Sequence, residues 1–221
     1  MIEAVLFDLD GTLLDTLDDI ADCANAALSM SGLPTHATEA YKYFVGSGVD
    51  ALIRRIVPEG MESAEDLGRI KKNYADLYAR RATDKTRPYD GIREMLGALE
   101  ARSLKTAVIS NKPDASTQQT VAHFFGEVAF DFAIGNRPGI PLKPDPAIVL
   151  LVADEIGVPP ERCLYVGDTG SDMMTAINSG CVPVGVTWGF RKRDELLSCG
   201  AKFLIDAPEE LLTLLGEETV L

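Results

Sequence analysis

Two carboxylates one residue apart, Asp8 and Asp10, follow the apolar run Ala4-Val5-Leu6-Phe7 and precede Gly11-Thr12. A short apolar run bounded by polar turn residues reads as a buried strand entering a loop. If the extended conformation persists through the pair, period-two geometry turns both side chains to one side. Two carboxylates crowded into a cleft repel each other, so one tends to keep its proton near neutral pH. That pairing suits phosphoryl transfer. An ionised carboxylate can attack phosphorus while a protonated one donates to the leaving oxygen.

The same pattern returns at Gly167-Asp168-Thr169-Gly170-Ser171-Asp172, after the run Leu164-Tyr165-Val166. Hard oxygen ligands gathered with Asp8 suit Mg²⁺, which takes a few carboxylates together with phosphate and water. Carboxylates alone would repel a phosphate, so a cation is needed to reverse the local sign. Donors are available at Ser110 and Asn111, which end the run Thr106-Ala107-Val108-Ile109 and precede a helix start. Lys143, in Lys143-Pro144-Asp145-Pro146, is expected in an extended segment imposed by the following proline. A lysine there can bind phosphate and keep the Asp8 carboxylate ionised. Taken singly, each feature has a plainer reading: Asp-Gly as a turn, Gly-Asp as a turn before a helix cap, Lys143 as a surface charge. Their strength is that four of them end separate strand candidates.

The elements that must position these residues alternate. Strands are expected at Ala4–Phe7, 105–109, 130–134, 164–166 and 182–186, with helices at 92–101, 115–125 and 146–156, the last opened by Asp145 and Pro146. Strands alternating with helices predict an α/β fold, a Rossmann-like parallel sheet with helices on both faces. Ligands bind at the carboxyl ends of strands in such sheets. Residues 14–84 break the rhythm. Helical patterns run through 15–30, 38–44, 49–56 and 64–81 with no convincing strand, which predicts an all-helical insertion. The expected division is a core of 1–13 and 85–221 and a helical cap of 14–84.

Bulk properties narrow the partners. Of 221 residues, 46% are hydrophobic and 25% charged, an ordinary globular composition. A net charge of −13 argues against nucleic acid, and the short Arg191-Lys192-Arg193 run reads as a solvated helix start. Cys23, Cys163, Cys181 and Cys199 lack zinc-type spacing and read as reduced, mostly buried thiols of a cytoplasmic protein. The apolar run at the N-terminus is broken by Asp8 and Asp10, which argues against a signal peptide, and no stretch is long enough to span a membrane. Nothing in the pattern distinguishes monomer from homodimer.

Phe7-Asp8-Leu9-Asp10-Gly11-Thr12-Leu13, Ser110-Asn111-Lys112, Lys143-Pro144-Asp145-Pro146 and the run from Gly167 to Asp172 resemble, in order and spacing, the four motifs of the haloacid dehalogenase superfamily. The resemblance is closest to its phosphoglycolate phosphatase branch, which carries a helical cap after the first motif. Val186 to Arg191, Gly200-Ala201 and Pro208 to Leu211 also look like that branch. The resemblance implies Asp8 as nucleophile and Mg²⁺ ligand. It implies Asp10 as general acid and base, with its carbonyl on the metal, Asp168 completing the metal site, and Asp172 supporting it from behind. Thr12, Ser110, Asn111 and Lys143 would hold the phosphoryl group of a small phosphorylated metabolite.

Dehalogenases of the superfamily lack the second aspartate, so Asp10 argues against that reaction. Phosphomutases related to β-phosphoglucomutase usually carry Val where this chain has Thr12, which favours a phosphatase. Pyrophosphatase activity and a phosphate-responsive binding module are the remaining alternatives. Selectivity is expected from the cap: Gly46, Ser47 and Gly48 as a turn near the substrate, flanked by Lys42 and Arg54, which could meet a second anionic group. The Asp18, Asp19, Asp22 cluster reads as the wet face of the first cap helix.

Overall fold

In a computed structural model, residues 1–215 are described. In chain order the elements are β1 (Ala4–Phe7), β2 (Leu14–Asp15), α1 (Leu17–Met30), α2 (Tyr41–Phe44), α3 (Gly48–Ile56), α4 (Ala64–Arg81), β3 (Arg87–Pro88), α5 (Ile92–Ala101) and β4 (Lys105–Pro113). They continue with α6 (Asp114–Phe125), β5 (Phe132–Asn136), α7 (Ala147–Ile156), β6 (Cys163–Gly167), α8 (Gly170–Ser179), β7 (Val182–Val186), α9 (Arg193–Ser198) and β8 (Phe203–Ile205). Six strands form one sheet in the order β5-β4-β1-β6-β7-β8, and every pairing in it is parallel. The α/β fold with helices on both faces is as expected.

Strand β1 alternates its side chains between two cores. Val5 and Phe7 join the cluster with Ile92, Leu96 and Leu99 of α5, while Ala4 and Leu6 join Ile148, Val149 and Val152 of α7. Burial on both faces explains why the strand is apolar throughout. It pairs with β4 on one side and β6 on the other, with Phe7 opposite Val108 and Val166. The chain moves left from β1 to β4 and right to β6, so the carboxyl ends of these three strands flank a topological switch point.

The helices between 17 and 81 form a separate apolar cluster, built from Ile20, Ala24 and Leu28 of α1, Leu52, Ile53 and Ile56 of α3, and Ile70, Tyr74 and Tyr78 of α4. Two features of this region differ from expectation. Leu14–Asp15 and Arg87–Pro88 pair as a two-stranded antiparallel ribbon where the chain leaves and rejoins the sheet layer. Two-residue strands carry no readable period, and Asp15 is withdrawn from the helix, which starts at Leu17. Asp19 is not on a wet face. It is 2% exposed and accepts hydrogen bonds from the Lys85 and Thr86 backbone amides and from Thr86 Oγ1 at 2.7 Å. It ties α1 to the returning strand. Hydrogen bonds to a charged group contribute roughly 1.5–3 kcal/mol each. Strand β8 was also unforeseen, a three-residue edge too short to announce itself.

Candidate active site

Strand β1 ends at Phe7, so period-two geometry does not carry through to Asp10. Asp8 still pairs along β6, its amide donating to Val166 O, but the chain then folds over: the amides of Leu13 and Leu14 donate to Leu9 O. Gly11, at φ +88°, permits this turn and lies so close to Asp168 that a Cβ would collide with its carboxylate. Folding in this way still leaves Asp8 and Asp10 lining the same cavity.

Lys143 organises the floor. Its Nζ lies 2.9 Å from Asp8 Oδ1, 2.7 Å from Asp172 Oδ1 and 3.2 Å from Ile109 O, and its side chain is 2% exposed. The segment is a turn rather than extended, closed by Asp145 N on Leu142 O, with the Lys143 amide held by Asn111 Oδ1 and a cis Lys143–Pro144 bond. Burial opposes the Lys143 charge, but Asp172 and Asp8, with Tyr165, drive the ammonium well above its ordinary pKa. Burial pushes the Asp8 carboxyl up to about 7; Lys143 pulls it down, and Asp172 and Asp10 add to the rise. Asp168, fully buried, is held well above the carboxylate range by burial first, then by Asp172 and Asp8.

Each of Asp8, Asp168 and Asp172 offers a carboxylate oxygen within 4.8 Å of the others. The close partners of Asp168 are neutral: Phe190 N at 2.8 Å and Thr12 Oγ1 at 3.3 Å. A buried carboxylate with two anionic neighbours and, among the described residues, no contacting cation suits a hard divalent ion, and the all-oxygen donor set matches Mg²⁺ chemistry. Asp172 thus stands within the cluster as well as behind it. Its Oδ2 accepts from Thr169 N and Oγ1, completing a capping box at the start of α8.

Of the four expected phosphate donors, Ser110, Asn111 and Lys143 line the cavity and Thr12 does not. Lys143 is engaged as described, and Thr12 turns its hydroxyl to Asp168. Asn111 Nδ2 donates to Gly46 O at 2.9 Å and to Lys143 O, so it pins the helical layer to the sheet layer instead of facing a ligand. Ser110 Oγ accepts from Lys112 N, which leaves its proton available. The register of β4 against β5 shifts between Ile109 and Pro113, re-aiming this segment toward the cleft.

The helical layer closes the cavity, about 210 Å³ in volume, with a largely apolar wall. Gly46 and Gly48 line it as expected; Ser47 instead accepts a hydrogen bond from Arg55. Lys42 and Arg54 are not brought in. Lys42 pairs with Glu39 at 2.8 Å, and Arg54 faces a separate surface groove with Glu62 and Gly68. In their place Val49 and Leu52 of α3 and Lys71, Tyr74, Ala75 and Tyr78 of α4 line the site. The α4 set falls at helical spacing, a readable stripe, but apolar stripes normally mark a core. Lys112 was also missed as a site residue: its Nζ lies 2.6 Å from Asp10 Oδ1 and 5.1 Å from the Tyr78 ring centre. Arg191 is no solvated helix start. Its guanidinium donates to Val45 O at 3.1 Å and pairs with Glu195, a second tie between the layers.

Comparison with known proteins follows the geometry. The haloacid dehalogenase-like hydrolase family matches residues 5–186, most of the chain. The chain belongs to that family. A phosphoglycolate phosphatase of Mannheimia succiniciproducens is 31% identical over 83% of this chain and 85% of its own length. An N-acetylmuramic acid 6-phosphate phosphatase of Pseudomonas aeruginosa is 29% identical over 97% of this chain and 95% of its own. A solved structure from Lactobacillus delbrueckii subsp. bulgaricus, itself assigned as a phosphoglycolate phosphatase by inference, superimposes with a TM-score of 0.91. It is 32% identical and covers 98% of this chain and 99% of that one. The resemblance read from the four motifs is borne out, and with it the enzyme class: a hydrolase similar to phosphoglycolate phosphatases. No helix among the described residues is long and apolar enough to cross a membrane.

Proposed function

We propose that this hydrolase is a Mg²⁺-dependent phosphatase of small phosphomonoesters, with 2-phosphoglycolate the leading substrate, acting through a phosphorylated Asp8. The observation that carries this reading is the buried Asp8 carboxylate, 2.9 Å from Lys143 and clustered with Asp168 and Asp172. Leu9 N and Lys143 occupy its Oδ1, and among the described residues no donor reaches Oδ2, the oxygen left for attack. Lys143 favours the ionised form of Asp8 against the burial that opposes it. Attack on phosphorus gives the aspartyl-phosphate, and Asp10 protonates the departing ester oxygen, then deprotonates the water that releases phosphate. Asp8, the Asp10 carbonyl and Asp168 would hold Mg²⁺, with Asp172 supporting through Lys143 and Thr169. When bound, the ion supplies positive charge that offsets the phosphate oxygens.

Thr12 orients Asp168 through its hydroxyl, and Asn111 fixes the Lys143 segment; Ser110 is the side chain with a hydroxyl proton for the phosphate. In this reading residues 14–84 are the cap and 1–13 and 85–221 the core, of which 216–221 lie outside the described residues, and the two are joined at the β2–β3 ribbon. The cavity volume of about 210 Å³ lies below the ~300–1,000 Å³ usual for drug-sized ligands. A compact ester fits it better than the amino-sugar phosphate named for the Pseudomonas relative. The test is phosphate release from 2-phosphoglycolate, a hexose phosphate and pyrophosphate, each with Mg²⁺ and with a chelator. Mg²⁺-dependent release, fastest from 2-phosphoglycolate, is the expected result. Release from pyrophosphate alone, or from none of them, would overturn the reading.

A further inference from the structure

The expected cationic readers of the substrate's second charge, Lys42 and Arg54, do not reach the cavity, yet three lysines do. Lys143 has its ammonium held by Asp8, Asp172 and Ile109 O. Lys71 is half exposed at the rim and pairs with Asp50 at 2.6 Å. Lys112 is different. Its side chain is 5% exposed, its Nζ contacts Asp10 Oδ1 at 2.6 Å, and its remaining close neighbour is the face of Tyr78. An ammonium carries three donors, and one carboxylate oxygen with one aromatic face leaves it able to take a further anion.

Position sets the chemistry. The ester oxygen of a substrate must come within hydrogen-bond reach of Asp10 if Asp10 is to protonate it. Lys112 contacts that same carboxyl group, so it stands beside the leaving group, whereas Lys143 holds Asp8. A carboxylate one carbon from the ester oxygen reaches that position. Around it the helical layer lines the cavity mainly with apolar groups, Ile20, Val45, Val49 and Leu52, and its polar side chains there are Lys71, Tyr74 and Tyr78. Burying a carboxylate against such a wall is costly without a paired cation. Resting on the phosphatase reading above, we infer that Lys112 is the specificity-determining residue, receiving the carboxylate of a phosphorylated small hydroxy acid and selecting it over neutral phosphomonoesters.

The test compares 2-phosphoglycolate with 2-hydroxyethyl phosphate, in which a neutral hydroxymethyl group replaces the carboxylate. The ratio of their kcat/KM values is measured for the wild-type protein, Lys112→Met and Lys112→Arg. Wild type should favour the anionic ester by about thirtyfold or more, as expected when a buried charged contact is made to one substrate only. Lys112→Met should bring that ratio close to one, with most of the loss in KM for 2-phosphoglycolate, and Lys112→Arg should retain part of the preference. A purely structural role, such as holding Asp10, would lower both substrates together and leave the ratio unchanged; that result overturns the inference. Should Lys112→Met not fold, the wild-type ratio and the Lys112→Arg variant still decide. A wild type that hydrolyses both esters equally leaves the phosphatase reading standing and removes the role of Lys112. A wild type that hydrolyses no phosphomonoester removes both.

Discussion

The floor and the roof of the cavity are built on opposite principles. The floor, at the carboxyl ends of β4, β1 and β6, gathers three buried carboxylates, two of them paired with the buried Lys143. The roof, supplied by α1, α3 and α4, is apolar, and its layer is tied to the floor through the carbonyls of Val45 and Gly46. The floor concentrates like-charge crowding that a divalent cation would relieve, which suits chemistry. The roof excludes water and shapes the space for a leaving group, which suits selection. Substitutions in the floor should therefore move kcat and metal dependence, and those in the roof should move KM and substrate preference.

The hardest blow to the floor is Lys143→Ala. It strands Asp8 and Asp172 in a buried site, at about 3–5 kcal/mol for breaking a buried pair. That corresponds to a fall in Tm on the order of 10 °C. Phosphate release should fall by about a thousandfold, because Asp8 loses the cation favouring its ionised form. A Lys143→Ala protein with near-native kcat would break the division between floor and roof.

The next effect is on pH and metal. Asp8 is raised from 3.8 to about 7 by burial, with Asp172 and Asp10 adding to the rise, and Asp168 is raised as well. Carboxyls raised on folding favour the protonated fold: their contribution is complete below the unfolded value and is lost as pH rises through the folded value. Metal-free protein should lose several degrees of Tm between pH 5 and pH 8, and Mg²⁺ should restore more at pH 8 than at pH 5. Thermal melts in chelator and in Mg²⁺ read this directly. Equal Mg²⁺ effects at both values would contradict the crowding described for the floor.

A roof change is smaller and differs in kind. Val49→Ser removes apolar surface from the cavity wall without touching the carboxylates, so KM should rise about three- to tenfold with kcat changed less than about threefold. Smallest of all are Lys42→Ala and Arg54→Ala. Neither side chain reaches the cavity, so kcat/KM should stay within about twofold of wild type, consistent with the small worth of exposed charges. A large loss in either would show the roof supplying a cation after all.

The same contrast explains what the sequence disclosed. Asp8, Asp10 and Asp168 were legible because charged residues at the ends of apolar runs are out of place in a core and need a reason to be there, and Lys143 through its Lys-Pro-Asp-Pro segment. Five strands of the main sheet and the helices at 92–101 and 64–81 followed from period and turn residues, several to the residue. Tyr74, Tyr78 and Leu52 were not legible, since an apolar residue lining a cavity has the same helical spacing as one filling a core. Asp19 misled for a related reason: a carboxylate on an acidic helix face reads as wet until the returning strand, 66 residues later, delivers its amides. Lys112 lay inside a recognised motif yet went unassigned, because its role depends on Asp10, 102 residues away in the chain. Pairwise placement of this kind is set by topology, and local pattern carries no trace of it.

The central claim is that Asp8 is the group phosphorylated in turnover. It is tested most directly by Mg²⁺-dependent phosphate release from the best substrate with wild-type protein and Asp8→Asn, together with a thermal melt of each. The account predicts a folded Asp8→Asn protein whose release falls by at least about a thousandfold, since an amide cannot serve as the attacking carboxylate. A folded Asp8→Asn protein retaining activity within about tenfold of wild type would contradict it.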